Sequence, residues 1–184
     1  DDFAPKQVLS TVLTHLSYVS RMSLTRLVNR KMCFNCFQPS ETNTFARELK
    51  VEVPLGSPRL EVVLRPFLQS SVTETIDCPL CNGLNVAGEA VTTAVLAPML
   101  WIVLLDTNPV AFGPELDLRV LTGDSDAFYS LTGFVTADTH TVFRLENTWF
   151  RAQNDRVEEL PGFPRHIVPQ ILLFERHGMP VQEE

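Results

Sequence analysis

Residues 139–160, THTVFRLENTWFRAQNDRVEEL, hold two runs of strand length, HTVFRL and TWFRA, rich in β-branched and aromatic residues and bounded by Asn and Asp. The same stretch places His140 and Asp155 fifteen positions apart. On antiparallel neighbours such positions meet at one edge of a sheet. The carboxylate then accepts from one imidazole nitrogen and leaves the other free to act as a base. The layout raises the question of a nucleophile.

Further runs of the same kind lie outward from it: RELKVEVPL, with Leu49, Val51, Val53 and Leu55 on alternate positions, then PMLWIVLLD, YSLTGFVTA and PQILLFER. Each is short and ends at Pro, Gly, Asn or Asp, which is the pattern of an antiparallel sheet. Near the N-terminus the period changes. Val8, Leu9, Val12, Leu13, Leu16 and Val19 recur at helical spacing behind Pro5, which predicts a helix over residues 6 to 21. A shorter helix is expected at Leu60 to Leu68, after a turn at Pro58. One helix followed mostly by strands reads as α+β, in a single domain for a chain of 184 residues.

Composition narrows the function classes. A hydrophobic content of 45% with 20% charged residues is ordinary for a globular protein. No apolar run reaches the roughly 18 to 20 residues of a membrane-spanning helix, and AVLAPMLWIVLL reads as a buried strand, so no membrane role is expected. A net charge of −7 argues against nucleic acid, whose phosphates require a basic surface. The opening DDFAPKQ has no initiator Met and no signal or transit character, and is expected to belong to a longer or processed protein.

All four cysteines fall into two C-x-x-C pairs, CFNC (Cys33, Cys36) and CPLC (Cys78, Cys81), with 41 residues between the pairs. A two-residue gap lets both thiolates of a pair face one ion at about 2.3 Å, and two pairs complete a closed tetrahedral site of the structural zinc kind. Two disulfides, or reactive dithiols, are the alternatives. The long intervening segment suggests that each pair sits on its own strand pair, at the tip of a projection.

His140 and Asp155 also have ordinary readings, as a strand-end histidine and a turn residue. The remaining histidines are poorer candidates: His15 on the polar side of the first helix, His166 among prolines and His177 before a glycine near the C-terminus.

Taken in order, these features resemble the ubiquitin-specific proteases, papain-like cysteine proteases with palm, thumb and fingers subdomains. DDFAPKQVLSTVLTHL is similar to the helix that follows the family's nucleophile segment. LEVVLRPFL and TETIDCPLC resemble the helix and lead-in to the second cysteine pair of the fingers. LAPMLWIVLLD, YSLTGFVTADTH, TWFRAQNDRVEEL and ILLFERHG then resemble the palm strands in their family order. The similarity runs over nearly the whole chain.

The resemblance implies a papain-like palm sheet plus zinc-stabilised fingers, with a helical thumb part at residues 1–30, fingers at 31–97 and palm at 98–184. It implies that His140 is the general base, Asp155 its orienting partner and Asn154 an auxiliary. It further implies structural Zn2+ on Cys33, Cys36, Cys78 and Cys81 and ubiquitin or a ubiquitin-like modifier as partner, while a nuclear or cytoplasmic location is expected from the zinc reading of the cysteines alone. Acidic residues such as Glu146, Glu158 and Glu159 are candidates to meet the arginines of a modifier's tail. Two departures stand out. The Gly-His-Tyr around the base reads Thr139-His140-Thr141 behind a shortened TADT loop, similar to the SUMO-specific branch. The family's Cys box, expected ahead of residue 1, is missing from this sequence. The expectation is therefore an isopeptidase domain without its nucleophile segment, with a modifier-binding pseudoprotease as one alternative and an unrelated zinc-stabilised interaction module as another.

Overall fold

The computed structural model describes residues 22–177 apart from positions 57, 97, 107, 139, 154, 155, 165 and 166, with the backbone alone at 95 and 96. The helix expected over residues 6 to 21 lies outside the described residues. The strands group into two sheets. The smaller has the order β2-β1-β5-β4, all antiparallel, from β1 (Thr25–Cys33), β2 (Pro39–Ala46), β4 (Gln69–Cys78) and β5 (Gly83–Leu96). The larger has the order β11-β10-β9-β8-β12-β6-β3, with β7 also paired to β8. Its members are β3 (Leu49–Val51), β6 (Leu100–Leu105), β7 (Glu115–Asp117), β8 (Phe128–Thr136), β9 (Thr141–Leu145), β10 (Thr148–Gln153), β11 (Arg156–Leu160) and β12 (Pro169–Arg176). Every pairing in it is antiparallel except β3 on β6.

Helix α1 (Leu60–Leu68) falls where the sequence predicts it. Leu60, Val63, Leu64 and Leu68 recur on one face and are all buried. They enter a core with Leu49, Val51, Trp101, Val103, Tyr129, Leu131, Phe134 and Phe174 from the large sheet. A short helix α2 (Arg119–Thr122) ends on Gly123 in the left-handed conformation that glycine adopts at least cost. The other face of the large sheet carries a second apolar cluster, Ile102, Leu104 and Ile171 with Leu100, Val135 and Leu173 beside it. This is why LWIVLL reads as a continuous apolar run: β6 is buried on both faces.

Strand β1 begins at Thr25, and Leu49, Val51, Val53, Leu60, Val63, Leu64 and Leu68 belong to the large sheet's core. The base of the small sheet is tied into that core, where Ala94 is buried and Leu27 and Ala46 pack alongside. Its far end holds a separate small cluster of Cys33, Ile76 and Cys78, flanked by Cys36, Cys81 and Val86. There β1 and β5 approach so closely that a Cβ on Gly88 would lie 2.7 Å from the Met32 carbonyl oxygen. No helix among the described residues is long and apolar enough to cross a membrane.

Candidate metal centre and histidine site

The β1–β2 hairpin turn carries Cys33 and Cys36, and the β4–β5 hairpin turn carries Cys78 and Cys81. Because β1 and β5 are neighbours in the sheet, the two turns meet at one end of it. The four sulfurs lie within 4.8 Å of one another. Cys33 Sγ is 3.8 Å from Cys81 Sγ, and Cys36 Sγ is 3.7 Å from Cys78 Sγ. Sulfurs held about 2.3 Å from a shared ion at tetrahedral angles are about 3.8 Å apart, so the spacing fits a four-thiolate ion site. All four cysteines are free, with these sulfur pairs well beyond the S–S bonding distance of about 2.05 Å.

Local backbone geometry sets this up twice in the same way. Phe37 N–H donates to the Cys33 carbonyl at 2.8 Å, closing the first turn. The residue after the second cysteine of each pair is left-handed, Phe37 at φ 56 and Asn82 at φ 53. Asn35 adds two donors, its backbone N–H to Cys33 Sγ at 3.4 Å and its side-chain amide to Cys81 Sγ at 3.6 Å. Such N–H donors offset negative charge on thiolates and orient them toward an ion. The proton affinities diverge accordingly. At Cys36 the Gln38 backbone N–H pulls the thiol down, but burial and the three neighbouring sulfurs outweigh it and push it up to about 11. At Cys81 the Gly83 N–H, helped by Asn35, lowers the thiol to about 7. Four adjacent thiolates repel one another, and a dication at their centre removes that repulsion.

His140 sits between β8 and β9, one residue before Thr141, with its side chain 19% exposed. The turn is closed by Thr136 N–H donating to the His140 carbonyl at 2.9 Å and by His140 N–H donating to Thr136 Oγ1 at 3.0 Å. His140 Nδ1 is 2.7 Å from Asp138 Oδ2. The Thr136 hydroxyl donates to the other oxygen of that carboxylate at 2.5 Å. This hydroxyl, with the imidazole beside it, holds the Asp138 carboxyl below its ordinary value of 3.8. Asp155 and Asn154 lie outside the described residues, so the expected partner of His140 is not among them. Asp138 is the carboxylate that the sequence reading misses. The signal is an aspartate two positions before the histidine in TADTH, which does not stand out because aspartate is common in turns.

His177 also has a partner, its ring bonding the Ser130 hydroxyl and lying against Phe128 at 5.0 Å between centroids. Of the acidic candidates, Glu146 occupies the β9–β10 turn at φ 54. Glu158 is paired with Arg151 across β10 and β11, and Glu159 stands opposite Phe150 on the same strand pair.

No protein-family profile matches the chain and no curated protein matches it. Solved structures do. The chain is similar to one titled as the SAGA DUB module of Ubp8, Sgf11, Sus1 and Sgf73 bound to monoubiquitin, with a TM-score of 0.70 and 15% identity over 94% of this chain and 46% of that one. It is also similar to the same module bound to ubiquitin aldehyde, with a TM-score of 0.68 and 13% identity over 94% of this chain and 47% of that one. The fold is thus like that of these Ubp8-module structures, in keeping with the fold that the resemblance implies. The chain spans about half the length of these neighbours.

Proposed function

We propose that this chain is the zinc-stabilised part of a ubiquitin-specific-protease-like domain that binds ubiquitin or a ubiquitin-like modifier and supplies the general base of an isopeptidase. The observation that carries the reading is one fold holding both features, a cluster of all four cysteines at the end of the small sheet and a carboxylate-paired histidine in the large one. The likeness to the Ubp8 module in its ubiquitin complexes supports the choice of partner. In this reading Zn2+ occupies Cys33, Cys36, Cys78 and Cys81, where it fixes the two hairpin turns together and takes no part in the reaction. The helical, fingers and palm parts correspond to residues 1–30, 31–97 and 98–184, and the protein works in the nucleus or cytoplasm.

With the cysteines committed to the metal, the nucleophilic thiol comes from outside these 184 residues. His140 accepts the thiol proton, and the thiolate attacks the carbonyl that follows the modifier's C-terminal glycines. A carboxylate beside the ring stabilises the imidazolium that forms, a part for which the family resemblance offers Asp155, near Asn154. A second reading is a modifier-binding pseudoprotease, in which all four thiols serve the metal and the fold binds a modifier without reacting.

The deciding experiment is covalent capture. Ubiquitin with a C-terminal electrophile, and a SUMO counterpart, are offered to this chain and to the protein extended upstream, with His140→Ala as control. Labelling of the extended form alone, lost in the variant, is the expected result and identifies the modifier. Binding to both forms with labelling of neither establishes the pseudoprotease, and failure to bind either modifier overturns both readings.

A further inference from the structure

The histidine turn contains its own orienting group. Asp138 and His140 are two residues apart, so their contact depends on the turn itself and not on the packing of a distant strand end. The 2.7 Å contact joins Asp138 Oδ2 to Nδ1, the nitrogen that must carry a proton if Nε2 is to act as a base. The carboxylate is anchored by the hydroxyl of Thr136, which is buried. The backbone of the histidine is anchored by the same hydroxyl. One buried threonine therefore fixes both members of the pair.

We propose that Asp138 is the positioning residue of His140: it accepts the Nδ1 proton and holds the neutral imidazole in the tautomer whose Nε2 lone pair is bare. The part this plays in acyl transfer rests on the function proposed above. There the S–H bond of the incoming thiol breaks, its proton forms the Nε2–H bond, and the electron pair stays on sulfur. The imidazolium so formed keeps its Nδ1–H on the Asp138 carboxylate. The depressed proton affinity of Asp138 keeps that carboxylate ionised throughout the working range of a histidine base.

The test reads the tautomer directly. Long-range proton–nitrogen correlation spectra are recorded on the zinc-loaded chain labelled at histidine, above the pH at which histidine titrates, with His140 assigned by its loss in His140→Gln. The expected result is Nδ1–H in the wild type, a shift to the Nε2–H form in Asp138→Ala, and partial return in Asp138→Glu. Asp138→Asn, which keeps the shape of the turn and removes the charge, is expected to fall between Ala and Glu. Retention of Nδ1–H in Asp138→Ala, or its loss in Asp155→Ala alone, overturns the proposal. In the upstream-extended protein, Asp138→Ala is expected to slow ubiquitin capture by about tenfold or more, with part recovered by Glu. An unchanged rate overturns the positioning role. If the wild-type extended protein fails to react at all, the proposed function falls while the spectra still decide where the Nδ1 proton is held.

Discussion

Phe37 and Asn82 occupy equivalent places, each directly after the second cysteine of its pair and each with positive φ. Asparagine tolerates that conformation, whereas phenylalanine carries a steric cost of about 1 to 2 kcal/mol there. Phe37 is 70% exposed, so little packing offsets the cost. Phe37→Gly is therefore expected to stabilise the zinc-loaded protein by about 1 kcal/mol, read as a rise in thermal midpoint at saturating zinc. A drop would mean that the ring has contacts that outweigh the backbone strain. Asp138 yields a pH prediction at the same scale. Its folded proton affinity is depressed by the Thr136 hydroxyl first and by His140 after it. The stabilisation it gives is therefore fully present above the ordinary value of 3.8 and is lost as pH falls through the lower folded value. The difference in thermal midpoint between wild type and Asp138→Asn is expected to hold at mildly acidic pH and to shrink below roughly pH 4. A difference that grows on acidification would contradict this.

Among the elements, α1 is legible in the sequence because Leu60, Val63, Leu64 and Leu68 all face one core, so burial writes a helical period into the residues. β8 and β12 are legible because apolar, β-branched and aromatic residues bury them in the large sheet. β2, PSETNTFA, is not legible: seven of its eight residues are exposed, no face is apolar, and hydrogen bonding to β1 alone makes it a strand. β4 is hidden for the same reason, since Ser, Thr and Glu supply five of its ten residues, and β5, GLNVAGEAVTTAVL, mixes small, apolar and polar residues without a clean alternation. The cysteine pairs were readable because ligand spacing is local. The Asp138 contact was not, because a turn carries no hydrophobic period from which a side-chain contact can be read. Gly88 shows how an element limits a site. Its absent Cβ is what lets β5 close on Met32, one residue before Cys33. Gly88→Ala is expected to part β1 from β5 and to weaken zinc binding by about tenfold or more in a chelator competition, while Gly162→Ala, in open space, leaves it unchanged.

At the scale of the whole molecule, the two sheets hold apolar clusters of very different size. The large-sheet core is extensive and apolar, whereas the cluster at the far end of the small sheet holds, among the described residues, only Ile76, Val86 and the cysteines. In the proposed reading, a metal on the four thiolates is therefore the principal cohesion at that end. Zinc removal is expected to abolish amide protection around residues 31–38 and 76–88 in hydrogen exchange while β6, β8 and β12 keep theirs. Loss of protection throughout would show that the two regions unfold as one. β5 gives this arrangement a mechanical side. Its residues run without interruption from the sulfur turns at Gly83 to the buried Ala94, flanked by β1 and β4 along the way. A load along that strand puts both ladders in shear, so many hydrogen bonds must fail together. The small sheet is thus a stiff lever arm, and a push on its tip is delivered to the interior beneath α1.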